Sequence, residues 1–118
     1  MRKLPVRFAI VFLVFLLCGL VSAAYAQELF LPEEVRPGLK GVGKTVISGN
    51  TIETFDVEVL GLVPQSPPLS NLIMIRVSGD VIERSGGIAQ GMSGSPVYIQ
   101  GRLLGAIGYT YAQTDHRI

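Results

Sequence analysis

From Gly38 onward the chain is interrupted by glycine, proline or a polar turn cluster every few residues. No stretch between those breaks sustains the 3.6-residue apolar period of an amphipathic helix. Short strands fit instead. Phe55, Val57 and Val59 share one face and Thr54, Asp56 and Glu58 the other, the two-residue period of a strand with one buried side. Upstream, Gly41 and Gly43 precede the β-prone run Lys44-Thr45-Val46-Ile47, which ends at the turn cluster Ser48-Gly49-Asn50. The pattern predicts a hairpin whose second arm is Thr51 to Val63. Pro64 to Ser70, with three prolines and two serines, reads as a connecting loop. Leu72 to Val77 is a short apolar strand closed by Ser78-Gly79-Asp80, and Val81 to Gln90 is a mixed connection. Pro96 to Ile99 and Arg102 to Tyr109 read as two strands joined at Gln100-Gly101, where glycine takes the positive φ of a tight turn. The expected class is all-β, a barrel or sandwich built from hairpins.

The first 26 residues have a different character. Arg2, Lys3 and Arg7 give a positive start, Phe8 to Leu20 is apolar, and Ala24-Tyr25-Ala26 offers small residues at signal-peptidase spacing. The expectation is a helical signal peptide over 1–26, cleaved to leave Gln27 as the new first residue. The apolar run is shorter than the ~20 residues a membrane-crossing helix needs. Extending it over residues 8–24 gives the alternative, an uncleaved membrane anchor. Either way the rest of the chain is placed outside the cytoplasm, secreted, periplasmic or in the cell envelope. Residues 27–39, with Pro32 and Pro37, form a lead-in loop, and 40–118 form the domain.

Cys18 is the one cysteine and lies within the signal. No disulfide can therefore staple the domain, and its stability must come from a packed core. Beyond residue 26 there are seven basic and nine acidic side chains, a net charge of −2. No basic stripe interleaved with aromatics appears, so nucleic acid is not an expected partner. No Cys/His cluster or carboxylate-rich loop suggests a metal, and no cofactor is expected.

The chemistry concentrates in Gly91-Met92-Ser93-Gly94-Ser95-Pro96. A serine hydroxyl is a poor nucleophile alone; acyl transfer needs a base and aligned donors for the oxyanion. Gly91 and Gly94 free the backbone around Ser93 to point Oγ outward and to aim the N–H groups of Gly91 and Ser93 at one point. The alternative is a serine in a glycine turn that merely bonds the backbone. Ser95, next to proline, reads as part of the turn.

This motif and the strand, glycine turn and second strand after it, through Val97-Tyr98-Ile99-Gln100-Gly101-Arg102-Leu103-Leu104-Gly105-Ala106-Ile107-Gly108-Tyr109, resemble trypsin-like serine peptidases. Met92, Ser95, the preceding Gly86-Gly87-Ile88-Ala89-Gln90 and the arm Phe55-Asp56-Val57-Glu58-Val59-Leu60-Gly61 are similar to the stage IV sporulation protein B serine peptidase family. That resemblance covers most of Gly38 to Tyr109. It implies a serine endopeptidase domain with a partial trypsin-like β-barrel, Ser93 as nucleophile, the N–H groups of Gly91 and Ser93 as oxyanion hole, and a polypeptide substrate in extended conformation. Gly105 and Gly108 would let the substrate backbone lie beside the last strand, close packing within a barrel being the alternative.

The resemblance puts an acid roughly at Asp80, against the plainer reading of a turn aspartate. In relatives arranged like this chain it implies a base in a glycine-histidine-proline-like segment further downstream. The single histidine, His116, departs from that pattern and reads as an exposed terminal residue. The expectation is thus an N-terminal portion of an exported endopeptidase, inactive alone for want of its base. The competing expectation is a noncatalytic envelope domain that binds extended peptides by strand addition.

Overall fold

The computed structural model describes residues 5–7, 10–13, 26–110 and 115–118. Most of the expected signal peptide, including Ala24 and Tyr25 of its cleavage site, lies outside the described residues. Among those described, no helix is long and apolar enough to cross a membrane.

Five strands form one antiparallel sheet: β1 (Lys40–Thr45), β2 (Glu53–Val63), β3 (Leu72–Ser78), β4 (Pro96–Ile99) and β5 (Arg102–Ala106), in the order β3-β2-β1-β4-β5. The sheet curls into a half-barrel, so the all-β, partial-barrel expectation holds. Two hairpins supply most of it. In β1–β2, Gly43 lies opposite Phe55; in β4–β5, Gln100 and Gly101 both take positive φ, 53° and 76°, as a two-residue hairpin turn with the right twist requires. The hairpins are joined by β1 pairing with β4, Gly41 opposite Ile99 and Gly43 opposite Val97. Leu60 in β2 and Leu104 in β5 are extra residues at which the register slips. Such bulges bend a strand and raise its twist, which helps the sheet curl.

The concave face is the core. Phe55, Val57 and Val59 of β2 are buried as their alternation predicts, and Val77, Val97 and Ile99 join them. Ile75 and Leu104 bridge the two apolar clusters into which the core divides.

Four features depart from the sequence reading. β1 takes in Gly41 and Gly43 and ends at Thr45, leaving Val46 and Ile47 of the expected β-prone run outside the strand. A helix, α1 (Asp80–Ser85), occupies part of the mixed connection and buries Val81 and Ile82. At under two turns it is too short to show a helical period. Gly86 ends it at φ 74°, and an Arg84–Glu53 ion pair ties it to β2. The last strand stops at Ala106, not Tyr109: past the Pro96–Ala106 pair the facing chain leaves strand geometry at Gly94, φ 85°.

The lead-in is also more than a loop. Phe30 is buried, its N–H bonds Leu103 O at 2.9 Å, and Leu103 N–H bonds Glu28 O at 2.8 Å. Arg102 clasps Glu34 through two bonds of 3.0 and 2.9 Å and lies 4.4 Å over the Phe30 ring. The first of these contacts holds the Glu34 carboxyl below its usual range. The lead-in so covers the outer edge of β5 at Leu103 and leaves Gly105 and Ala106 exposed.

Candidate active site

The segment between α1 and β4 is a run of bends and turns. Met92 is 1 % exposed and anchors the turn: its sulfur accepts the Ala89 N–H at 3.3 Å, its own N–H bonds Ala89 O at 3.1 Å, and its carbonyl accepts Ser95 N–H at 3.0 Å. Gly91 and Gly94 flank it at φ 97° and 85°, left-handed backbone that side chains rarely adopt. With Met92 drawn inward, Ser93 between Met92 and Gly94 is exposed.

The far side of the turn is clamped to the chain leaving β5. Gly94 N–H bonds Ile107 O at 2.7 Å, and Ile107 N–H bonds Ser95 O at 3.0 Å. Ser95 is buried and donates its hydroxyl to Thr45 Oγ1, also buried, at 2.9 Å. That bond fastens the turn to the end of β1, so Ser95 does structural duty within the turn. Among the described residues, the N–H groups of Gly91 and Ser93 bond no protein acceptor. A turn with an exposed serine and two N–H donors uncommitted among the described residues can receive an oxyanion without first breaking bonds to protein acceptors.

Gly94→Ala probes the clamp. A Cβ at Gly94 meets nothing within 4 Å, so the cost is the left-handed backbone alone, about 1 kcal/mol. Thermal unfolding of this variant should shift down by about 4–8 °C.

The other expected residues lie apart from this turn or lack partners. Asp80 opens α1 and is exposed; among the described residues no hydrogen bond joins its carboxylate to Ser93 or His116. His116 is exposed as expected, and its ring bonds neither residue, yet its backbone is docked. His116 O accepts Ile88 N–H at 2.8 Å, Arg117 O accepts Val77 N–H at 2.8 Å, and a Cβ on Gly87 would come within 2.5 Å of His116 Cβ. Gly105 and Gly108 are exposed, with open space where a Cβ would stand. No group of metal-ligating side chains occurs among the described residues.

Asp115 and Arg117 hold the docked tail in shape. Arg117 donates to the Asp115 carboxylate from its side chain at 2.8 and 2.7 Å and from its backbone at 3.1 Å. The side-chain bond is the main reason the Asp115 carboxyl falls to about 2. A carboxyl depressed in the folded state stabilises above its unfolded pKa and loses that contribution as pH falls through the folded one. Hydrogen-exchange protection of the Val77 and Ile88 amides should therefore be constant above about pH 4 and decline between about pH 4 and pH 2.

An antiparallel half-barrel with a glycine-framed serine at the root of its last hairpin has the form of a serine peptidase domain. The family model described as SpoIVB peptidase S55 matches residues 22–117, and the chain belongs to that family. No curated relative and no solved structure matches it.

Sequence reasoning located the turn and missed what holds it. Met92 carried a signal, an apolar residue between two glycines in a polar turn. Thr45 and Ile107 carried none, because their roles follow from contacts across the sheet.

Proposed function

We propose that this is a SpoIVB-like serine endopeptidase domain in which Ser93 attacks the scissile carbonyl and the N–H groups of Gly91 and Ser93 stabilise the oxyanion. The observation that supports this reading above others is the pairing of an exposed Ser93 with two neighbouring N–H groups that have no protein acceptor among the described residues. The substrate is a polypeptide in extended conformation, laid along the chain from Gly105 to Gly108. Export, by signal peptide or anchor, belongs to the same proposal.

The base is not supplied by any contact among the described residues, and Asp80, the acid candidate, has nothing there to orient. The chain alone is then slow, and a small external base should replace the missing one. The test is phosphonylation by a fluorophosphonate with imidazole added, mapped by mass spectrometry. Ser93 is the expected site, lost in Ser93→Ala and retained in Ser95→Ala. Label spread evenly over the exposed serines would overturn the assignment. The open edge at Gly105 and Gly108 also favours a second reading, a noncatalytic peptide-binding domain, for which Ser93 would be no more reactive than any other serine.

A further inference from the structure

The strand order leaves β3 and β5 as the two ends of the curled sheet, and a groove of about 550 Å³ lies between them. That volume is within the ~300–1,000 Å³ range of ligand sites. Its walls include Ile73 and Ile75 of β3, Leu104 of β5, Ile107, and Ile88 from the run-in to the serine turn. None of its described lining residues has a charged side chain. At its mouth Tyr109 is 80 % exposed, an aromatic ring left without cover.

The groove and the serine turn share a wall. Ile107, which lines the groove, directs both its N–H and its C=O at the turn, to Ser95 O and from Gly94 N–H. Backbone groups alternate in direction along an extended chain, so the peptide groups of Gly108 face the opposite, outer edge. Gly108 has no hydrogen-bond partner there among the described residues, and the room above it and Gly105 is open. A peptide added along that edge would project alternate side chains to one face, where the groove lies.

We infer that the groove seats a large uncharged side chain, leucine, methionine or phenylalanine, of an extended peptide added as a strand beside Gly105–Gly108, and so selects substrates with an apolar residue near the scissile bond. The extended peptide is taken from the proposed function; the choice of side chain is new. A lysine or aspartate at that place would give up much of its hydration to mostly apolar walls that hold no charged side chain, Asn71 and Thr110 being the polar ones. A leucine would bury most of its surface against isoleucine and leucine.

The test uses the 118-residue chain as Ser93→Ala, so that binding is read without chemistry. Capped peptides Ser-Thr-X-Thr-Ser, with X as leucine, phenylalanine, lysine or aspartate, are titrated while the backbone amide signals of the ¹⁵N-labelled chain are followed. The leucine and phenylalanine peptides should bind at least about tenfold more tightly than the charged ones. Their shifts should centre on Gly105, Gly108 and Ile88. Gly108→Val, which meets no internal clash but fills the peptide lane, should weaken the leucine peptide about tenfold while leaving the fold intact. Equal affinities for leucine and lysine peptides, or shifts centred elsewhere, overturn the inference. Because Ser93 is absent, such a failure leaves the nucleophile to be decided by phosphonylation of the unmutated chain.

Discussion

Gly41→Ala should lower the stability of this domain by about 3 kcal/mol. Gly41 stands in β1 opposite Ile99 of β4, and a Cβ there would run into the carbonyl oxygen of Tyr98 and come within 2.5 Å of Ile99 Cδ1. A side chain could rotate away; a strand backbone cannot move without breaking its ladder. Overpacking of a well-filled core costs typically about 1–3 kcal/mol, and a backbone clash sits at the top of that range. A domain of this size has only about 5–10 kcal/mol in hand. The clash falls where the two hairpins join, so the strain bears on both the β1–β4 ladder and the Ser95–Thr45 bond that fastens the serine turn. Denaturant unfolding should stay cooperative, with a midpoint lowered by roughly a third to a half. A midpoint within experimental error of the unmutated chain would mean that β1 and β4 do not pair as described.

Ser93→Ala should abolish imidazole-assisted phosphonylation, and the size of the effect follows from the site. An ordinary exposed serine has neither base nor oxyanion donors. Imidazole supplies a base to every serine alike, so what separates Ser93 from Ser48, Ser66 or Ser70 is the pair of N–H groups beside it. Removing one oxyanion-hole donor typically costs about 10²–10³ in rate, and Ser93 should accordingly react at least about a hundredfold faster than those serines. Ser95→Ala should keep that rate within a few-fold while losing about 1 kcal/mol of stability, the usual worth of one buried hydrogen bond.

What was legible in the sequence is what neighbours in the chain decide. The alternation from Phe55 to Val59 and the Gln100-Gly101 turn placed β2 and the β4–β5 hairpin because strand period and turn chemistry are local. The glycines around Ser93 were legible for the same reason, since positive φ is a property of single residues. The β1–β4 ladder was not, as Gly41 and Ile99 lie 58 positions apart in the numbering and nothing in either hairpin names its partner. Burial of Met92 and Phe30, the Thr45 hydroxyl under Ser95 and the docking of Asp115 to Ile118 on Gly87 and Ile88 depend on that assembled sheet. His116 shows the limit from the other side. Its backbone is placed by tertiary contacts the sequence did not announce, while its ring takes no part in any bond to Ser93.

The most direct test of the central claim is a crystal structure of the phosphonylated chain. The phosphorus atom should be bonded to Ser93 Oγ, with the phosphoryl oxygen about 2.7–3.1 Å from the backbone nitrogens of both Gly91 and Ser93. An adduct on Ser93 whose phosphoryl oxygen points to solvent and reaches neither nitrogen would contradict it.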